Sequence, residues 1–176
     1  MTIKVGDKVP TATLKVMSEA GPANATTEEL FGKGKVVMFA VPGAFTPTCS
    51  ARHLPGFVEH AADLKAKGVD RIVCMSVNDV FVMDAWGKAG QVNGHLVMAA
   101  DGNGEFTAAL GLELDASGFG MGKRSQRFAM VTENGTVTHL CVEQGGELKV
   151  STPLPTQPAS RFSISGNRLN RSPTSP

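Results

Sequence analysis

The run Pro42-Gly43-Ala44-Phe45-Thr46-Pro47-Thr48-Cys49-Ser50 sets a hydroxyl and a thiol three positions apart. Thr46 is a favoured helix N-cap and Pro47 a favoured first helical residue, which puts Cys49 at the third position of a helix. The N–H groups of a first turn have no partner within the helix and carry partial positive charge, so they favour an anion. Thiols placed this way fall from about 8.5 into the range ~3.5–7.5 and become nucleophiles at neutral pH. An N-cap hydroxyl reaches toward the third helical residue, so Thr46 is expected to hydrogen-bond Cys49 or a substrate oxygen beside it. The plainer reading of a cysteine behind a strand is a small core residue. The succession of strand, Pro42, Thr46 and helix start favours the nucleophile.

Other residues with chemical potential lie far along the chain. An arginine such as Arg127 is always charged and presents a fixed fork of donors, suited to holding a thiolate and polarising a bond under attack. Spacing alone does not bring it to Cys49. His53 lies four residues after Cys49 on the same helix face and could help hold a negative charge, although packing is the reading preferred for it. Cys74 sits inside an apolar run and reads as an inert buried thiol; Cys141, on an outer strand, reads as structural. The glycines of Gly102-x-Gly104 and Gly118-x-Gly120-x-Gly122 lack a strand-to-helix setting and read as turns.

These residues need a frame. Val36–Val41 and Arg71–Val77 are continuous apolar runs rich in β-branched residues, as expected of central strands covered on both faces. A helix from Pro47 to about Lys67, kinked at Pro55, joins them into a right-handed βαβ unit with parallel neighbouring strands. Ahead of it, Thr11–Met17 alternates as a strand that Gly21-Pro22 breaks, and Thr26 with Glu29 forms a capping box for a short helix. Beyond it come a helix near Val80–Lys88 capped by Asn78 or Asp79, a strand His95–Ala100, a turn Asp101–Gly104 and a short helix Glu105–Leu110. A loop Asp115–Lys123 follows near the site. Strands Arg127–Val131 and Val137–Val142 then flank Asn134-Gly135, a strong hairpin signal. The order indicates an α/β fold with a central mixed β-sheet flanked by helices.

Pro42, Thr46 and Cys49 match the Pro-x-x-x-Thr-x-x-Cys signature of peroxiredoxins. The longer string Val41–Ser50 followed by His53-Leu54-Pro55-Gly56-Phe57 resembles the type II, peroxiredoxin V class, over roughly Ile3 to Val150. The resemblance implies a thioredoxin-like fold and reduction of hydrogen peroxide or alkyl hydroperoxides by Cys49 through a sulfenic acid, with Pro42, Thr46 and Arg127 in the catalytic set. The Arg127-Phe128 pair matches the family's active-site arginine, and Arg124 is a neighbour that could support it. Cys74 falls where plant and bacterial type II members carry a second cysteine, proposed there to resolve the sulfenic acid. An external thiol reductant, glutaredoxin with glutathione or thioredoxin, and a homodimer with Phe45 as a contact are also implied. No metal, haem or flavin is implied. The alternative reading is a non-enzymatic peroxide sensor that relays oxidation to a partner protein.

Composition is consistent with this. At 176 residues with 41% hydrophobic and 19% charged content, the chain suits one soluble domain. A net charge of +1 gives no electrostatic case for nucleic acid or an anionic membrane. No signal or transit pattern opens the sequence, and three cysteines without a Cys-x-x-Cys pair point to reduced thiols, a cytoplasmic setting and no zinc site. Residues 1–150 read as the domain. From Ser151 to Pro176 the chain turns rich in Pro, Ser and Thr with three arginines and no acid, and reads as a disordered or loosely attached tail in place of the helix with which the family normally ends.

Overall fold

The chain opens with a hairpin that its composition conceals. In the computed structural model, which describes residues 1–143, 148 and 151, β1 (Thr13–Ser18) pairs antiparallel with β2 (Gly21–Thr26), and Ser18 lies opposite Gly21. Gly21-Pro22, expected to end a strand, therefore starts one. Pro22 is tolerated because β2 is the outermost strand of the sheet, where a missing N–H breaks no ladder. Helix α1 (Thr27–Phe31) follows with the expected capping box: Glu29 N–H donates to Thr26 Oγ1 at 3.2 Å and Thr26 N–H to Glu29 Oε2 at 2.7 Å.

β3 (Lys35–Val41) leads through the Pro42–Thr46 loop into helix, and Ser50 N–H donates to Thr46 O at 3.0 Å, the first bond of a helix that starts at Pro47. Cys49–His53 is a π-helical turn closed by Leu54 N–H on Cys49 O. Pro55 has no N–H and its ring would collide with the carbonyl four residues back, so a wider turn ahead of it relieves the clash. The expected kink at Pro55 is absorbed this way. The break comes instead at His60 (φ −95°, ψ 5°), between α2 (Leu54–Glu59) and α3 (Ala61–Ala66). There His60 Nδ1–H donates to Gly56 O at 2.9 Å and competes with the backbone for that carbonyl.

β4 (Arg71–Ser76) lies parallel to β3 and is followed by α4 (Val80–Ala89), capped by Asp79, whose Oδ1 accepts from Val82 N–H at 2.9 Å. β5 (Val97–Ala100) and α5 (Glu105–Leu110) come next. The expected loop Asp115–Lys123 is the connection, with a 3-10 turn at Ser117–Phe119, between two short strands the sequence did not announce, β6 (Glu113–Asp115) and β7 (Lys123–Ser125), which pair as a ribbon. β8 (Phe128–Glu133) and β9 (Thr136–Val142) close the described fold, hinged on Asn134 (φ 48°) and Gly135 (φ 76°). The main sheet runs β2-β1-β5-β4-β3-β8-β9, with β3, β4 and β5 mutually parallel.

Alternation along the central strands divides the core. Val37, Phe39, Val41, Ile72 and Cys74 pack toward α2, α3 and α4, together with Cys49; Val36, Met38, Ala40, Val73 and Met75 pack toward α1 and α5. Cys74 thus points to the face that carries the Cys49 helix. Of the stretch read as a tail, only Ser151 lies among the described residues. Among the described residues, no helix is long and apolar enough to cross a membrane.

Candidate active site

The Pro42–Thr46 loop leaves the carboxyl end of β3, where open α/β sheets gather ligands. Side chains from elsewhere hold it. Ala44 N–H donates to Asn78 Oδ1 at 2.9 Å, and Ser76 Oγ donates to the same oxygen at 2.7 Å, tying the loop to the end of β4. A Cβ on Gly43 would lie 3.1 Å from Thr46 Cγ2 and 3.2 Å from Met121 Cε, so a larger residue there would have to push these two side-chain ends back by a few tenths of an ångström where the loop packs beneath the β6–β7 ribbon. Phe45 takes φ 59° at the loop tip, a left-handed conformation costly for an aromatic residue, of order 1–3 kcal/mol.

Thr46 occupies the position expected of it, but its hydroxyl is used differently. It donates to Gly43 O at 2.8 Å, across the loop. With its proton engaged there, the oxygen presents lone pairs, making it an acceptor for a substrate proton. Pro42 and Thr46 are half-buried, while Cys49 and His53 are fully buried.

Arg127, the residue before β8, is 4% exposed and brings its guanidinium to the helix start. Its Nη2 donates to Cys49 Sγ at 3.2 Å and its Nη1 donates to His53 Nδ1 at 3.0 Å. A bond from a fixed cation to sulfur favours the anionic form, and in a water-poor site it acts more strongly than at the surface. His53 also stands 2.9 Å by its Nε2 from Ser151 O, and its ring tilts against Phe39 and Phe57, which stack on each other with centroids 3.9 Å apart. Burial is the main cause that lowers the His53 pKa to about 4.

The structure therefore gathers Cys49, Arg127 and His53, with Thr46 and Pro42 on the adjoining loop. Arg124 is spent elsewhere: its Nε donates to Met121 O at 2.8 Å and its Nη1 to Val77 O at 2.9 Å, fastening the ribbon over the loop. Cys74 is fully buried, and burial, with a smaller contribution from nearby Cys49, pushes its thiol pKa well up. Cys141 lies on β9 opposite Ala129, half-buried. Three supporting groups escaped the sequence reading: Asn78, seen only as a cap candidate; Trp86, whose Nε1–H donates to Ser50 Oγ at 2.9 Å beside the thiol; and Glu143, whose Oε1 accepts from Ser151 N–H at 2.7 Å.

The sheet order, the helices on both faces and a thiol at the carboxyl edge of a central strand place the fold in the thioredoxin-like class. Residues 4–152 match the Redoxin family. The chain is 52% identical over 151 residues to Peroxiredoxin-2B of Arabidopsis thaliana, covering 85% of this chain and 93% of the relative. It is 48% identical to the chloroplastic Peroxiredoxin-2E of the same plant, over 82% of this chain and 64% of that protein. The structure of reduced Prx3 from Vibrio vulnificus in complex with H2O2 superposes with a TM-score of 0.83 at 52% identity, covering 86% of this chain and 94% of that one. The chain belongs to the redoxin family as a type II peroxiredoxin, a thiol peroxidase. Enzymes of this kind work on the cysteine itself with external thiols as reductant, without a prosthetic group.

Proposed function

We propose that the chain reduces hydrogen peroxide and alkyl hydroperoxides with Cys49 as the peroxidatic cysteine. The observation that carries this reading is the 3.2 Å bond from Arg127 Nη2 to Cys49 Sγ inside a buried first turn. The thiolate attacks one peroxide oxygen; the S–O bond forms as the O–O bond breaks, and the departing hydroxide or alkoxide takes a proton to leave as water or alcohol. Cys49 is left as a sulfenic acid. Arg127 and the first-turn amides stabilise charge on sulfur and on the breaking bond, Thr46 Oγ1 accepts a hydrogen bond from the peroxide O–H, and Pro42 shields the reacting atoms from bulk water.

A thiol then condenses with the sulfenic acid, releasing water and forming a disulfide, and a second thiol releases Cys49 with the reductant oxidised. Cys74 is the candidate internal thiol, yet buried and protonated it reacts only after the Cys49 turn opens. Glutathione with glutaredoxin, or thioredoxin, supplies the electrons. Residues 1–150 act as the peroxidase domain in a reducing, cytoplasmic setting. Phe45, at the tip of the loop that leads to Cys49, is 54% exposed, which suits a contact in a homodimer. The test is peroxide consumption with the thioredoxin and the glutaredoxin–glutathione systems run side by side. Sustained turnover with either supports the enzyme; stoichiometric oxidation of Cys49 without turnover with both would leave a peroxide sensor.

A further inference from the structure

Arginine donates and does not accept, so the 3.0 Å contact from Arg127 Nη1 requires His53 Nδ1 to be the acceptor. The imidazole proton then sits on Nε2 and donates to Ser151 O at 2.9 Å. Ser151 is itself held, because its N–H and its Oγ–H both donate to Glu143 Oε1, at 2.7 and 3.0 Å. His53, Arg127, Glu143 and Ser151 are all buried. The result is one continuous chain of donors and acceptors, from the Glu143 carboxylate through Ser151 and His53 to Arg127 and the sulfur of Cys49. Resting on the peroxidatic reading above, we infer that His53 is a positioning residue, which aims the Arg127 guanidinium at Cys49 and is itself aimed by Ser151 and Glu143.

The chemistry favours a neutral imidazole in that place. A protonated ring would turn Nδ1 into a donor facing a guanidinium, abolishing the contact and placing two cations together. Burial and the Arg127 charge oppose protonation, while the Ser151 carbonyl and Glu143 favour it less strongly, and the ring is neutral well below neutral pH. A neutral ring with one nitrogen committed to Ser151 has one orientation for the other. Among the described residues the Arg127 Nε atom has no hydrogen-bond partner, so there the fork is held through its two terminal nitrogens, of which His53 takes one.

The variants His53→Asn and His53→Phe distinguish aiming from packing. Asparagine sets an amide oxygen near the place of Nδ1 and keeps an acceptor for Arg127 but leaves a void; phenylalanine fills the space and offers no acceptor. Second-order rates of Cys49 with hydrogen peroxide and with iodoacetamide are measured at neutral pH, beside thermal midpoints. The expected result is that His53→Phe reacts about tenfold to a hundredfold more slowly with both reagents, with His53→Asn closer to wild type even though it is the less stable. The reverse order of reactivity, or equal wild-type reactivity in both, would overturn the inference. If neither variant folds, Glu143→Ala decides: a slower Cys49 in a folded protein supports the relay and an unchanged one refutes it. Alkylation does not depend on turnover, so a protein that consumed no peroxide would still report the order of the variants.

Discussion

Two thiols share one cluster on one face of the sheet, and both have no exposure, yet their surroundings are opposite. Cys49 lies in the first turn of a helix, under a guanidinium at 3.2 Å. Cys74 lies in β4 between Phe39 and Met98 of the neighbouring strands, where desolvation raises its pKa. Burial by itself holds a thiol neutral; a donor set placed at the sulfur is what makes a buried cysteine chemically distinct. The comparison also explains the long reach of the site's support. The cation comes from the residue before β8, its orientation from a π-turn histidine, and that histidine's orientation from beyond β9.

The hardest way to break the contrast is to remove its reactive side. Cys49→Ser is expected to abolish peroxidase activity with the fold kept, since a serine hydroxyl does not ionise near neutral pH; any retained turnover by the purified variant would place the chemistry elsewhere. Arg127→Gln removes the charge while keeping a polar side chain, and kcat/KM should fall by about 10²–10³. A loss under tenfold would mean that the helix start alone supports the thiolate.

Much of this frame is legible in the sequence, and the reasons differ by element. β3 and β4 announce themselves because strands buried on both faces read as continuous apolar runs between their polar ends. The Asn134-Gly135 hinge and the Thr26–Glu29 box are local chemistry, readable over four residues. β2 is hidden because an edge strand can hold Gly, Pro, Ala and Asn without cost to a ladder, and three-residue strands such as β6 and β7 have no period to detect. The π turn answers a proline six residues beyond the thiol, which sequence reasoning took for a kink. The assembly of Cys49 with Arg127, 78 residues apart, came from the family resemblance, since nothing local encodes it. The role of His53 toward Arg127 had no signal at all, because it depends on contacts with Arg127 and Ser151, distant in the chain.

A smaller effect should appear in stability against pH. The His53 pKa lies at about 4 in the folded protein against an ordinary 6.5, so between those values the unfolded chain binds a proton that the native state refuses. Stability from this group is complete above about pH 6.5 and falls as the pH drops toward ~4, by about 3 kcal/mol in all. Arg127 and Glu143 bear on the ring with opposite signs, and carboxylates elsewhere titrate in the same window. The measurable quantity is therefore the difference between wild type and His53→Asn in urea midpoints followed by the fluorescence of Trp86. Parallel pH profiles for the two proteins would show that His53 does not titrate this way. Thr46→Val tests the loop by a smaller margin: loss of the bond to Gly43 O should cost about 1 kcal/mol of stability, and loss of the acceptor about tenfold in rate. An unchanged rate with lowered stability would make Thr46 a loop fastener only.

The smallest effect is expected on the quiet side of the comparison. Cys74→Ser places a hydroxyl in an apolar pocket, with a stability loss of about 1–3 kcal/mol. The first chemical step should hold within about twofold of wild type, because Cys74 donates nothing to the peroxide and the bond from Arg127 to Cys49 does not pass through it. Trp86 can follow that step and the one after it, since its indole N–H is bonded to Ser50 next to the reacting sulfur. Resolution by Cys74 requires the Cys49 turn to open, so wild type treated with peroxide alone should give a Cys49–Cys74 disulfide, found by non-reducing peptide mapping, together with a Trp86 signal change and a loss of helical circular dichroism. The serine variant should lose that linked pair and keep turnover with glutathione and glutaredoxin, whose thiol reaches the sulfenic acid directly. A linked pair formed without helical loss would mean that no opening is needed; no linked pair at all would return Cys74 to the core; and a tenfold slower first step in Cys74→Ser would show that the two thiols are tuned together, ending the contrast drawn between them.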